Sequence, residues 1–257
     1  MAKIIALTNQ KGGVGKTSTS LNLAFYLKKQ GSRVLAVDGD SQGNFSSRLR
    51  LDPEGNATPF TGTSVAQLFE ETTSEVMPMA TPRGIDLLHT PPYDLNLVEV
   101  ETLSIARAML PRKRTATLFQ QYDYVVVDCP PSLGRSLVAM LNLATHVVIP
   151  VKVSGFSIDA IKALVTTLRA VKQKHNHDMK VVGAFVNDID RDSVEQARTL
   201  TRLRKDINDW LLSSVVHHRS PIDTAVNRGI PLSELTYAHV AAGEVEHLMK
   251  EIMARVE

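Results

Sequence analysis

Residues 3–18 read Lys-Ile-Ile-Ala-Leu-Thr-Asn-Gln-Lys-Gly-Gly-Val-Gly-Lys-Thr-Ser. An apolar run, Ile4 to Leu7, enters a glycine-rich loop. The stretch after it, Lys16–Gln30, is helical by pattern: Leu21, Leu23, Ala24 and Leu27 are apolar, and Gly31 ends it. Strand, loop and helix in this order are the context a phosphate-binding loop requires. Gly12, Gly13 and Gly15 let the backbone take positive φ and approach an anion closely. Successive N–H groups, among them those of Val14 and Ser18, then converge on phosphate oxygens at a helix start, where the dipole favours negative charge. Lys16 can reach the β- and γ-phosphates, and Thr17 can offer its hydroxyl to Mg²⁺. The usual pattern has glycine where this chain has Gln10, and Lys11 follows it. The loop is therefore a variant form with a second lysine.

Composition narrows the field. The chain has 257 residues, 43% hydrophobic and 22% charged, ordinary values for a globular protein. A net charge of +2 predicts no nucleic-acid partner from bulk charge, so any such surface has to be local. Cys129 is the single cysteine, which excludes an internal disulfide and fits a reducing cytoplasm. The N-terminus enters a strand at once, without the pattern of a secretory leader. No apolar stretch approaches the ~20 residues that span a bilayer.

Further along, β-rich runs alternate with helical patterns. Strands are expected at Lys3–Asn9, Arg33–Asp38, Asp123–Cys129, His146–Val151 and Lys180–Asn187. Helices are expected at Leu133–Leu143, Ile158–Lys174 and Ser193–Leu212. Continuous Val/Ile strands separated by helices predict an α/β fold: a doubly wound, mainly parallel sheet with helices on both faces. Residues 45–110, rich in proline, read as excursions from one domain spanning 1–257.

Ligands of an open parallel sheet sit outside the C-terminal strand ends. Two strands besides the first end there in aspartate, at Asp38 and Asp128. A carboxylate after an apolar strand suits the Mg²⁺ shell of a phosphate-loop nucleotidase, directly or through water. Asp is also a common helix N-cap at such places.

Four segments together resemble one family. They are Lys-Gly-Gly-Val-Gly-Lys-Thr at 11–17, Val-Asp-Gly-Asp-Ser-Gln-Gly-Asn at 37–44, Tyr-Val-Val-Val-Asp-Cys-Pro-Pro-Ser-Leu-Gly at 124–134 and Val-Val-Ile-Pro-Val at 147–151. With them the chain resembles the ParA/MinD superfamily of deviant Walker A ATPases, and within it the short, Soj-like ParA partition ATPases. The resemblance runs from residue 3 to residue 256. It implies ATP and Mg²⁺ as ligands, a homodimer formed with ATP, and a ParB-like or adaptor protein that stimulates hydrolysis. It implies that Lys16 serves the phosphates of its own subunit and that Lys11 reaches the nucleotide of the partner. Such a cation in trans neutralises developing charge only once two subunits close. Asp40 resembles the residue that orients the attacking water, Asp38 and Asp128 would support Mg²⁺ with Thr17, and Asn187 resembles an adenine-contacting position, although an asparagine there is equally a strand-end turn residue. Two departures stand out, Ser41 in place of a usual proline and Lys152-Val153-Ser154 in place of a longer polar segment. Neither is expected to touch the reacting groups.

The resemblance also implies nonspecific DNA binding and a nucleoid-associated, cytoplasmic location. In the expected helix Ser193–Leu212, residues Leu200, Leu203, Ile207 and Trp210 share one face, with Arg198, Arg202 and Lys205 roughly opposite. Arg191 resembles a family DNA-contact arginine, and Arg219 and Arg228 follow in later loops. Such a stripe contacts phosphates without reading bases, and it is also the composition of an ordinary solvated face. The alternative is a MinD-like membrane-positioning ATPase. The C-terminal segment does carry an apolar stripe, Val245, Leu248, Met249, Ile252, Met253 and Val256. Its polar side is net acidic, which anionic lipid repels, so the stripe is expected on the core and no stable membrane association is expected. An iron–sulfur relative would need two cysteines per subunit, and a metal site at His175/His177 or His217/His218 lacks a third ligand by spacing. With the loop starting at residue 11, no helix-turn-helix domain is expected ahead of it.

Overall fold

The structure, a computed structural model, describes residues 2–154 and 158–257. Its strands are β1 (Lys3–Leu7), β2 (Val34–Asp38), β3 (Met79–Ala80), β4 (Asp86–Leu88), β5 (Tyr124–Asp128), β6 (His146–Val151), β7 (Lys180–Ile189) and β8 (Leu211–His217). The helices are α1 (Lys16–Lys29), α2 (Asn44–Leu49), α3 (Leu95–Glu99), α4 (Ile105–Ala108), α5 (Leu110–Phe119), α6 (Arg135–Leu143), α7 (Ile158–Lys174), α8 (Val194–Ile207), α9 (Ser220–Arg228) and α10 (His239–Val256). One sheet holds the strands in the order β3-β4-β2-β5-β1-β6-β7-β8. Every pairing is parallel except that of the edge strand β3 with β4. This is the doubly wound sheet that the alternating pattern predicts.

Both faces of the sheet are buried, which is why its strands read as unbroken apolar runs. Ala6, Leu35, Val37, Val125 and Val127 point to one core, with Leu164, Leu168 and Val171 of α7 and Leu203 of α8. Ile5, Leu7, Val34, Ala36 and Val126 point to the other, with Leu21, Leu23, Ala24 and Leu27 of α1. The period of two along each strand thus feeds two layers of helices. The stripe of α10 joins the second core, and its six residues, Val245 to Val256, are all buried. No helix among the described residues is long and apolar enough to cross a membrane.

The strand order fixes where a ligand can sit. β1 lies between β5 and β6, so the chain winds away from it in both directions. Asp38 and Asp128 pair in register across β2 and β5, and Leu7 pairs with Asp128 across β1 and β5. Three strand ends therefore stop at one level beneath the glycine loop.

Two expectations are corrected. Residues 45–110 are more than excursions, since they supply β4 beside β2 and the antiparallel β3. Proline density hid these short strands. The helix expected over Ser193–Leu212 stops at Ile207, and after a 3₁₀ turn at Asn208–Trp210 the chain becomes β8. The alternating burial of Leu211–His217 then stabilises a strand along the edge of β7. Leu203 is buried and Leu200 and Ile207 pack on the core, as the stripe predicts, but Trp210 leaves the helix and is 40% exposed.

Gly229 closes α9 in the left-handed conformation, φ 60°, and a Cβ there would lie 2.1 Å from the Arg48 carbonyl oxygen. Both the dihedral and the backbone contact demand glycine. Gly229→Ala is expected to destabilise the fold by about 2–3 kcal/mol. Urea unfolding monitored by circular dichroism would show it as a lower midpoint with an unchanged slope.

Candidate functional site

The glycine loop connects β1 to α1. Gly13 and Gly15 adopt left-handed backbones, φ 70° and 92°. Gly12 is not among the positive-φ glycines, which corrects the expectation that all three need that freedom. Within the loop the approach is closest at Gly15, where a Cβ would lie 2.1 Å from Nδ2 of Asn187. Val14 is buried, and its carbonyl accepts from Asn187 Nδ2 at 3.0 Å. Asn187, in the C-terminal half of β7, thus braces the loop from a strand beyond β6. Ser18 is half-buried on the first turn of α1.

The two lysines behave differently. Lys16 is 7% exposed, and its Nζ donates back to the Lys11 carbonyl at 3.4 Å, spanning the loop from end to start. Lys11 is exposed, and its Nζ donates to the Ser154 carbonyl at 2.9 Å. The Lys152–Ser154 segment therefore contacts Lys11, one of the expected site residues. Lys152 in turn pairs with Asp188, a non-glycine residue at φ 59°, whose other oxygen takes His218 Nδ1 at 2.6 Å.

Below the loop sit the strand-end carboxylates. Asp128 accepts from Thr17 Oγ1 at 2.6 Å and from Ser20 Oγ at 3.1 Å. Asp38 accepts from both the N–H and the hydroxyl of Ser46, each at 2.8 Å. Both carboxylates are buried. Burial, against the opposing pull of the Thr17 hydroxyl and the Lys16 charge, pushes Asp128 up to about 6. Burial and the charge of Asp128 hold Asp38 well above the usual carboxylate range, despite its bonds from Ser46. Asp40 stands one step out, half-buried, with Oδ1 accepting from the Gln42 N–H at 3.1 Å. It faces a cavity of about 270 Å³ that Val98, Glu101, Pro130 and Ser136 also line.

These residues fit Mg²⁺ and a triphosphate. Two adjacent buried carboxylates repel each other unless a cation lies between them. With the Thr17 hydroxyl they make an all-oxygen donor set, and Mg²⁺ favours one or two carboxylates plus phosphate and water oxygens. Gln10 Nε2, at the loop entrance, is buried without a hydrogen-bond partner among the described residues.

The basic residues separate into two groups. Arg198, Arg202 and Lys205 are exposed on α8, with Arg202 near Asp206 at 3.8 Å. Arg228 is exposed at the end of α9. Arg191 and Arg219 instead converge on Glu244 of α10, at 2.9 and 2.8 Å. His217 joins them, its N–H donating at 3.1 Å and its Nδ1 pairing at 3.1 Å. Partial burial works to raise the Glu244 carboxyl, but the bonds from Arg219 and His217 and their charges outweigh it and bring it down to about 2.

The sequence expectations leave out Ser20 and Ser46 and give Ser154 and Glu244 no place at a site. Ser20 lies one helical turn beyond Thr17, a spacing that could have flagged it. The other three carry no local signal.

A deviant phosphate loop on the central strand, above two strand-end carboxylates, defines a P-loop nucleoside triphosphatase. Comparison with known proteins narrows the class. The AAA domain family profile matches residues 2–181. The chain is 31% identical over 238 residues to the sporulation initiation inhibitor protein Soj of Bacillus subtilis, covering 90% of each. It is 32% identical over 255 residues to the chromosome-partitioning ATPase Soj of Thermus thermophilus, covering 98% of this chain and 96% of that one. The crystal structure of cobyrinic acid a,c-diamide synthase from Mycobacterium smegmatis with bound ADP and magnesium superposes with a TM-score of 0.73 at 28% identity, covering 89% of this chain and 91% of that one. The chain belongs to the ParA/MinD superfamily of ATPases, in its short, Soj-like ParA branch.

The Glu244 cluster makes a prediction about stability. Its carboxyl sits near 2 in the folded chain against an ordinary 4.5, so the stabilisation is present above 4.5 and is lost as pH falls toward 2. Allowing for screening, it amounts to about 1–2 kcal/mol. Thermal melts of the native chain and Glu244→Gln should differ near pH ~5 and converge as the pH falls from there toward 2.

Proposed function

We propose that this chain is an ATP-driven switch that dimerises around two nucleotides, binds DNA without sequence preference, and partitions a plasmid, a chromosome or another large cargo. The observation that carries this reading is the difference in burial between the two loop lysines. Lys16 is buried and folded across its own loop, placed to serve the phosphates of its own subunit. Lys11 is exposed on the loop's outer side, where a second subunit could approach. One lysine in cis and one in trans make charge neutralisation conditional on dimerisation.

The remaining residues take roles that follow from their positions. The loop N–H groups and Lys16 bind the phosphates, and Asn187 holds the loop at Val14. Thr17, Asp38 and Asp128 would hold Mg²⁺, which would neutralise charge on the phosphate oxygens. Asp40 orients water in the adjoining cavity. Its bond from the Gln42 N–H fixes one oxygen of the carboxylate. The relatives that are chromosome-partitioning ATPases support the cargo class. A ParB-like or adaptor protein would release the dimer from DNA by stimulating hydrolysis, giving a nucleoid-associated cycle. The basic residues Arg191, Arg198, Arg202, Lys205, Arg219 and Arg228 are the DNA contacts in this reading, and doubling them by dimerisation couples DNA binding to ATP. The buried stripe of α10 favours DNA over a membrane as the surface bound.

Three substitutions separate the roles. Lys16→Ala is expected to abolish binding of a fluorescent ATP analogue. Lys11→Ala should bind that analogue yet elute as a monomer with ATP and Mg²⁺. Asp40→Ala should dimerise on DNA and lose at least ~100-fold in ATP turnover. Unimpaired turnover in Asp40→Ala, or monomers of the parent chain under hydrolysis-blocked conditions, would reject the reading.

A further inference from the structure

Five hydrogen-bonding contacts from three residues converge on the Glu244 carboxylate. Oε1 takes Arg191 Nη2 at 2.9 Å, Arg219 Nη2 at 2.8 Å and His217 Nδ1 at 3.1 Å. Oε2 takes Arg219 Nε at 3.3 Å and the His217 N–H at 3.1 Å. The seat gathers the C-terminal ends of β7 and β8, the start of α9 and the first turns of α10. Its donors are a guanidinium fork, a second guanidinium, an imidazole and a backbone N–H. This is the donor set that holds a phosphate diester oxygen pair. The carboxylate side chain is 16% exposed, Arg219 22% and Arg191 57%. A ligand can therefore reach the outer guanidinium from solvent while the inner one stays anchored. The neighbouring Asp188 is engaged with Lys152 and His218 and takes no part.

We infer that this is a seat for a DNA backbone phosphate that the chain fills with its own carboxylate, so that Glu244 competes with DNA for Arg191 and Arg219. The inference rests on the proposed DNA binding and adds to it the residue that sets its strength. Glu244 cancels the charge of one of the two arginines, so the seat offers a polyanion only the other. A subunit so weakened holds DNA poorly alone, and two held together by nucleotide hold it well, because the second contact becomes intramolecular. Glu244 thereby makes retention on DNA depend on the dimer. When DNA arrives, Arg191 has the shorter path: it leaves one bond to Glu244 and turns to the phosphate, while Arg219 keeps the carboxylate in place.

The test is fluorescence anisotropy with a labelled duplex of arbitrary sequence, with ATP and with ADP, across a salt series. The proteins are the parent chain, Glu244→Gln, Arg191→Ala/Arg219→Ala and the triple variant, each checked for folding by its melt at neutral pH. One added phosphate contact steepens the slope of log K on log salt by about 0.9, which is roughly eightfold in affinity at ~0.1 M salt. Glu244→Gln is expected to gain this much, to bind DNA with ADP as well, and to lose the gain in the triple variant. If Glu244→Gln binds as the parent does, or more weakly, while the double arginine variant loses affinity, the competing role is overturned and the DNA reading stands. If the double variant binds DNA as well as the parent, those arginines are not DNA contacts and the inference falls with that assignment. A gain that persists in the triple variant overturns it too. Ordering by Glu244 alone, a purely structural role, would lower the melt without steepening the salt slope.

Discussion

Two buried carboxylates held side by side are the constraint on which this site depends. The parallel register of β2 and β5 ends both strands at the same level, so Asp38 and Asp128 face each other at the end of the sheet. Burial removes the water that would screen them. The fold partly offsets this cost with hydroxyl donors from Thr17, Ser20 and Ser46. What those donors leave unmet is a demand for positive charge, and it lies directly beneath a loop built to hold anions. The site is poised for a cation and a polyphosphate together, since each removes the penalty that the other would incur alone.

The loop above is tied down from outside itself. Asn187 braces Val14, and Ser154 takes the amine of Lys11. Both anchors lie on or beside the strands of one half of the sheet, while the carboxylates lie on the other. A nucleotide in this crevice would therefore touch both halves, and a change at either half reaches the lysines through one or two bonds. The segment at Lys152–Ser154 is part of this bracing. Lys152 pairs with Asp188, whose left-handed backbone sits next to Asn187.

Electrostatics are arranged differently farther out along the sheet, past the ends of β7 and β8. There the chain places arginines and then neutralises half of their charge with Glu244. The same helix that supplies Glu244 packs its apolar face on the core. α10 thus anchors the fold on one side and tempers a cationic surface on the other. An acidic residue on that helix reads, in the sequence, as one more charge that repels lipid. In the folded chain it is the counter-ion of two arginines.

Local chemistry was legible from the chain alone. Glycines at 13 and 15, Lys16 and Thr17 need no partner from afar to announce an anion site, because the backbone of a strand–loop–helix makes it. Unbroken Val/Ile runs announce a sheet covered on both faces, and five of its strands and the stripe of α10 were read nearly to their ends. The short strands β3 and β4 and the edge strand β8 were not. A two- or three-residue strand has no period to detect, and β8 is a strand because β7 offers it an unpaired edge. Tertiary structure alone decided the partners: Ser46 for Asp38, Ser154 for Lys11, and Glu244 for Arg191, the last two separated by 143 and 53 positions. Residue types and spacing encode what a segment can bind with its own backbone. Which distant side chain meets it is set only when strands far apart in the chain are brought into register.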